Sequence, residues 1–287
     1  MHQPVLLKEV LKYLDPKPNE NFIDCTFGFG GHSLAVLERN KPKGKVLGIE
    51  LDKKELLQSK LQERLTLVQG NFSDLKEIVE KNNFHSVSGI LFDLGMSLWQ
   101  IEKSERGFTF QKNEPLDMRF GDTRLRAEEI INNWPKEKLE NIFREYGGER
   151  YAQRIAKNIC QKRQRQKIRT TGELVKIIQE AVPRQYLYAR IHFATRVFQA
   201  LRIAVNDELN NLKKALPQAL NILEPKGRIV VVSFHSLEDK IVKNFFRDKA
   251  KENVLKILTK KPIRPNLEEI KFNPRSRSAG LRAAAKS

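Results

Sequence analysis

The first hundred residues carry short apolar runs, several ending in an acid, alternating with longer amphipathic stretches. Phe22-Ile23-Asp24 is the first run, and a glycine-rich turn separates it from a helix-like stretch over His32 to Arg39. Val46-Leu47-Gly48-Ile49-Glu50 is the second, followed by helical periodicity from Lys53 to Arg64. Leu65 to Gln69 reads as a third strand, after which Asn71-Phe72-Ser73-Asp74 opens a helix with a Ser or Asp cap. Ser88-Gly89-Ile90-Leu91-Phe92-Asp93 is a fourth strand, again ending in an acid. This alternation predicts an α/β fold with a parallel, doubly wound, Rossmann-like sheet. Ligands of such sheets bind outside the carboxyl ends of the strands. Asp24, Glu50 and Asp93 are therefore expected on one rim.

The pattern changes at about residue 103. From there to 206 the periodicity is helical, over Ala127–Trp134, Lys136–Tyr146, Arg150–Arg163, Thr171–Val182 and Phe193–Asn206. The sheet pattern resumes with a helix over Glu208 to Leu223, kinked or reset at Pro217, and a strong strand over Gly227 to Phe234. Leu237 to Lys251 reads as amphipathic helix and Val254–Leu258 as a further strand; the tail from Lys260 is basic. The predicted organisation is one sheet domain, 1–102 and 207–287, interrupted by an all-helical domain over 103–206.

Charge sharpens this division. Residues 1–150 hold 23 Lys and Arg against 24 Asp and Glu, whereas residues 151–287 hold 30 against 11. A neutral half joined to a strongly basic half suggests a catalytic platform beside a polyanion-binding surface; the plainer alternative is a solvated basic surface. The cluster Lys162, Arg163, Arg165, Lys167 and Arg169 suits phosphate contacts, and Arg275, Arg277 and Arg282 form a second candidate patch. No apolar run approaches the ~20 residues of a membrane span. The N-terminus lacks a secretory pattern, and Cys25 and Cys160 offer neither a disulfide framework nor zinc spacing. No metal is expected, and a soluble, cytoplasmic protein is.

The turn Asp24-Cys25-Thr26-Phe27-Gly28-Phe29-Gly30-Gly31-His32 lets backbone approach a ligand closely. Glu50 lies 20 residues beyond Gly30, the spacing at which a carboxylate accepts hydrogen bonds from the ribose of an adenosine cofactor. Dinucleotides and S-adenosylmethionine both fit. Ser33 stands where a dinucleotide fingerprint wants its last glycine, and Asp24 repels a pyrophosphate but suits the ammonium of a methionyl group. A tight turn without a ligand is the third alternative.

These residues resemble the ribosomal RNA small-subunit methyltransferase H family, the MraW type. The resemblance begins at His2-Gln3-Pro4-Val5-Leu6-Leu7 and the turn Asp24-x-Thr26-Phe27-Gly28-x-Gly30-Gly31-His32-Ser33. It continues through Asp93-Leu94-Gly95, Glu105-Arg106-Gly107-Phe108, Pro115-Leu116-Asp117-Met118-Arg119, Ala194-Thr195-Arg196, Ser233-Phe234-His235-Ser236-Leu237-Glu238-Asp239 and Asn273-Pro274-Arg275-Ser276-Arg277-Ser278. It implies a class I methyltransferase that uses S-adenosylmethionine to methylate the N4 amine of a cytidine in the decoding region of 16S rRNA, within the small ribosomal subunit. It also implies donor contacts for Gly30, Gly31, His32, Glu50, Phe72, Asp93 and Gln100. Cys25 replaces a common Gly, and Leu98-Trp99 a usual Ser-Pro.

Methyl transfer from a sulfonium is an in-line displacement, so the enzyme mainly aligns donor and acceptor. The cytosine amine is a weak nucleophile, and an acceptor near its N–H groups helps localise the lone pair. Many amino methyltransferases place an Asp/Asn-Pro-Pro-aromatic turn after the fourth strand; here the turn is Asp93-Leu94-Gly95-Met96. Asp93 is a candidate for cofactor binding, amine orientation or both. His235 is a candidate proton relay, with helix capping as its structural alternative. Phe234 is a candidate base-stacking ring or core, Asp117 a site residue or an ion-pair partner of Arg119, and His2 a pocket seal or a frayed end. Two other function classes fit part of the pattern: a non-catalytic RNA-binding or ribosome-assembly factor that keeps the fold, and a nicotinamide-dependent dehydrogenase.

Overall fold

The computed structural model describes residues 4–52, 63–121 and 124–287. The predicted helix from Lys53 lies outside them but for its end, as does His2. By its own contacts the chain divides into two compact units: residues up to Gly95 with Leu209–Ser287, and Met96–Glu208.

The first unit holds a seven-stranded sheet among the described residues: β1 Asn21–Asp24, β2 Val46–Glu50, β3 Leu65–Gln69, β4 Val87–Asp93, β5 Leu223–Ser233, β6 Leu255–Ile257 and β7 Gly280–Lys286. Their order is β3-β2-β1-β4-β5-β7-β6. The first five run parallel, and β7 lies antiparallel to both β5 and β6. Central strands read as unbroken apolar runs because both faces are covered. Ile23, Leu47, Ile90, Phe92 and Val231 face the helices Leu75–Lys81 and Glu208–Ile222. Phe22, Val46, Leu91 and Val230 face Leu7–Leu14 and Gly31–Arg39. This is the Rossmann-like architecture expected from the first hundred residues.

The second unit is helical, over Leu98–Glu102, Ala127–Asn133, Lys136–Glu145, Ala152–Arg163, Thr171–Ala181, Arg184–Leu187 and Thr195–Asn206. Its own apolar core includes Leu116, Phe143, Ile155, Ile159, Leu174, Ile178 and Leu201. No helix among the described residues is long and apolar enough to cross a membrane.

Several local readings are corrected. Glu208–Ile222 runs through Pro217 without a reset, the proline sitting on its exposed face. β5 starts at Leu223, before the predicted Gly227. Asn71, not Ser73 or Asp74, supplies the capping side chain after β3: its Oδ1 accepts the Ser73 N–H at 2.9 Å. The helix Leu7–Leu14 and the strand β7 were not anticipated.

Candidate active site

Parallel pairing of β2, β1 and β4 brings Asp24, Glu50 and Asp93 to one edge, since each is the last residue of its strand. Asp24 is 3% exposed. Its Oδ1 accepts the Thr26 N–H at 3.1 Å, and its Oδ2 accepts the Ser33 hydroxyl at 2.7 Å. Burial pushes the Asp24 carboxyl above its ordinary value, opposed chiefly by nearby His32 and these hydrogen bonds. The serine that breaks the dinucleotide fingerprint is thus the donor that holds this acid. That role was missed in the sequence, where Ser33 registers only as an absent glycine.

Glu50 is held more tightly still. Its Oε2 accepts the Gly28 N–H at 2.8 Å, while Oε1 accepts the N–H groups of Leu51 and Asp52 at 2.7 and 2.9 Å. The carboxyl is 9% exposed, and burial raises its pKa against the pull of those three donors. Each carboxylate oxygen accepts up to two hydrogen bonds, so capacity remains for a ligand hydroxyl.

The glycine turn is shaped by conformation and by space. Gly30 has φ of 75°, and a Cβ there would lie 2.5 Å from the Phe27 ring. A Cβ on Gly31 would lie 2.4 Å from Pro4. His32 follows, buried, its Nε2 3.3 Å from Asp93 Oδ2. That is an ion-pair distance, yet the alignment is not that of a hydrogen bond, and both ring nitrogens are left without a partner. The Asp93 backbone N–H donates to Thr26 Oγ1 at 2.6 Å, tying the end of β4 to the turn after β1. Phe72, the first residue after the cap at the end of β3, meets Phe92 edge-on at 5.7 Å.

Beyond β5, His235 caps the helix Ser236–Lys251: its Nδ1 accepts the Glu238 N–H at 3.4 Å. A neutral ring that accepts at Nδ1 carries its proton on Nε2. In this arrangement His235 is a donor, and accepting a proton requires releasing the cap. Phe234 packs over Gly95, where a Cβ would lie 2.6 Å from its ring.

Among the described residues, the buried side-chain polar atoms without a hydrogen-bond partner are His32 Nδ1 and Nε2, Asp93 Oδ1 and His235 Nε2. All belong to the strand-end region of the sheet unit. His235 Nε2 lies 3.1 Å from Glu238 Oε1, as His32 Nε2 lies near Asp93, both at ion-pair distance without hydrogen-bond alignment. Buried polar groups are nearly always paired, so His32 Nδ1 and Asp93 Oδ1 mark a place where a polar ligand supplies the missing partners.

The matching family model, the MraW methylase family, spans residues 1–287. The chain belongs to the MraW methylase family. It is 44% identical to the ribosomal RNA small subunit methyltransferase H of Heliobacterium mobile, over 99% of this chain and 98% of the relative. Likenamed relatives from Halothermothrix orenii and Dictyoglomus thermophilum are each 46% identical, over 99% and 98% of this chain and 97% and 95% of theirs. The donor for a methylase of this fold is S-adenosylmethionine. The residues of the rim fit it: acids suit its ammonium and sulfonium charges, Glu50 suits a ribose, and the orphaned atoms await polar partners.

The other candidates are dispersed. Gln100, in the helical unit, forms a reciprocal cap with Ser97: the Gln100 N–H donates to Ser97 Oγ and the Ser97 N–H to Gln100 Oε1, both at 3.1 Å. Asp117 forms a two-pronged ion pair with Arg119, at 2.7 and 2.8 Å. Lys162 pairs with Glu180 at 2.7 Å, and Arg163 donates to the Ile131 carbonyl at 2.7 Å. Arg165, Lys167 and Arg169 are exposed, as are Arg275 and Arg277 in the sheet unit. Arg282 leaves its patch: it is buried in a two-pronged pair with Asp239, at 2.6 and 3.0 Å.

Proposed function

We propose that the chain transfers the methyl group of S-adenosylmethionine to the N4 amine of a cytidine in the decoding region of 16S rRNA, acting on rRNA within the small ribosomal subunit. The observation that carries this reading is the pair of unpartnered buried atoms, His32 Nδ1 and Asp93 Oδ1, at the strand ends beside Asp24. The names of the relatives support the substrate class. When bound, the donor supplies an electrophilic methyl carbon on a sulfonium. Asp24 and Glu50, both fixed by N–H and O–H donors, hold its ammonium and ribose ends. Gly30 and Gly31 keep the turn open for it, Phe72 flanks its adenine, and Gln100 is a further donor contact. Asp93 Oδ1 is an acceptor that contacts the donor and orients the cytosine amine. His235, whose Nε2 faces Glu238 Oε1 at 3.1 Å, serves as a relay once its cap opens. The exposed cations Arg165, Lys167, Arg169, Arg275 and Arg277 take phosphates, with Lys162 and Arg163 more committed to the protein. The helical unit, on this reading, is the RNA-side domain.

The test is mass mapping of small-subunit rRNA after incubation with the protein and isotopically labelled donor. One label on a decoding-region cytidine, retained on N4 in the released nucleoside, is the expected result. Label on another atom or base overturns the assignment, and donor binding with no transfer supports the assembly-factor reading.

A further inference from the structure

Within the helical unit, Glu149 is a carboxylate at 1% exposure. Its Oε1 accepts the Tyr151 backbone N–H and its Oε2 accepts the Tyr186 hydroxyl, both at 2.8 Å. Burying a carboxylate without a cation directly on it is costly, so this one calls for a purpose. What it fixes is a pair of rings. Tyr151 and Tyr186 stand edge to face with centroids 4.9 Å apart and planes at 70°. Burial and the carboxylate beside it push the Tyr186 hydroxyl up to about 12, so it stays a donor.

Cations lie over these rings. The Arg150 guanidinium sits 4.6 Å from the Tyr186 centroid and 5.0 Å from that of Tyr151, and Arg154 sits 5.9 Å from Tyr151. Both arginines are exposed, and neither has a carboxylate partner among the described residues. Two residues past Tyr186, Tyr188 is 78% exposed, between the exposed Arg184 and Arg190. No acid occurs from Arg184 to Arg196. A ring this exposed contributes little to the core. Planar cations held on aromatic faces, with an exposed aromatic ring two residues further along the chain, are the chemistry that holds unpaired nucleobases and their phosphates.

We propose that Tyr188, with Arg150, Arg154 and Arg190, forms a stacking platform for single-stranded RNA, Tyr188 taking the face of an unpaired base and the arginines the flanking phosphates. The platform rests on the rRNA reading above and adds residues that the charge run at 162–169 does not contain. Glu149 fixes the two tyrosines over which the Arg150 guanidinium lies.

The experiment titrates the full chain against a fluorescein-labelled single-stranded oligoribonucleotide, and against the same sequence as a duplex, over a range of salt. Tyr188→Ala weakens single-strand binding by about tenfold or more. It leaves the salt slope unchanged, and Tyr188→Trp restores affinity to within about twofold. Duplex affinity does not move with either change, because stacked bases offer no free face. The double variant Arg150→Gln, Arg154→Gln lowers the salt slope by about one. A native chain that binds RNA while Tyr188→Ala matches it within about twofold overturns the platform and leaves the rRNA reading standing. Equal losses on single strand and duplex also overturn the platform, assigning Tyr188 to shape and not to stacking. A native chain that binds no RNA overturns both.

Discussion

The acids at the strand ends and the cations of the helical unit are both charged groups, built on opposite terms. Asp24 and Glu50 are almost wholly buried, and backbone N–H groups or a hydroxyl hold each oxygen in place. Arg165, Lys167 and Arg169 stand in solvent. A buried acid is costly to desolvate, and its position is then set to within a hydrogen bond. An exposed cation costs little, and its effect on a polyanion is a sum over charges, indifferent to which one supplies it. Single changes at the rim are therefore expected to act as switches, and single changes on the cationic surface as increments.

The largest effect is expected at Glu50, where Glu50→Gln sets an amide NH2 against a backbone N–H. Loss of about 2–3 kcal/mol in urea unfolding is expected, together with weaker donor binding, because a buried donor is left unsatisfied. On this expectation the Glu50 carboxylate supports the fold as well as the proposed ribose contact, although its place at a strand end suggests a residue that is free to change. Unchanged stability would erase the contrast between the buried rim and the cationic surface.

Asp93→Ala comes next. The apparent Kd for the donor is expected to rise about tenfold or more, the scale of a hydrogen bond to a charged group, with a smaller loss in kcat at saturation. Single-turnover rates across a donor titration separate the two effects. Normal donor binding with a large kcat defect would make Asp93 the amine's acceptor alone.

Replacing Arg165, Lys167 and Arg169 together with Gln is expected to lower the salt slope of RNA binding by about two, and donor affinity not at all. Arg163 is left out because it is committed to the Ile131 carbonyl. An unaltered slope would return the cluster to the role of a solvated surface.

The smallest effect is on stability, at Asp24. Its folded pKa lies above its unfolded value because burial penalises the charge. Such a group contributes stability when protonated, below the unfolded pKa, and loses that contribution as pH rises through the folded pKa. Asp24→Asn is therefore expected to be more stable than the native chain at pH 7. The gain should shrink as pH falls through the carboxylate range, and donor affinity should drop. Thermal unfolding at several pH values reads this directly; a variant less stable at every pH would mean that Ser33 and Thr26 need the carboxylate itself.

The strands from β1 to β4 were legible because each is a short apolar run bounded by turn residues; β1, β2 and β4 are largely buried, while β3 lies at the sheet edge and is only partly buried. Their acids were legible because a parallel sheet places strand ends together. β7 was not: Gly280-Leu281-Arg282-Ala283-Ala284-Ala285-Lys286 is rich in alanine and lacks β-branched residues, so only its place between β5 and β6 makes it a strand. Roles that depend on pairing were equally hidden. Arg282 reads as one more cation in a basic tail until Asp239 is seen to hold it. Ser33 and Thr26 belong to the motif of the glycine turn, but nothing in the sequence says which groups they bond; their roles come from the acids they meet.

β4 and β5 lie side by side in register from Gly89 to Asp93, yet the whole helical unit is threaded between them in sequence. Pairing them from an unstructured chain means closing a loop of more than a hundred residues. By the logarithmic scaling of loop entropy this costs about 4 kcal/mol beyond the constant term. A helical unit that condenses first, on its own local contacts, shortens that loop to the distance between its two ends. Helix-rich segments form such contacts quickly. The helical unit is thus also a folding clasp: the order of events in which it gains structure before the sheet closes is the fast one, and changes that loosen its core around Phe143 and Ile178 should slow closure of the sheet as well as destabilise the unit itself.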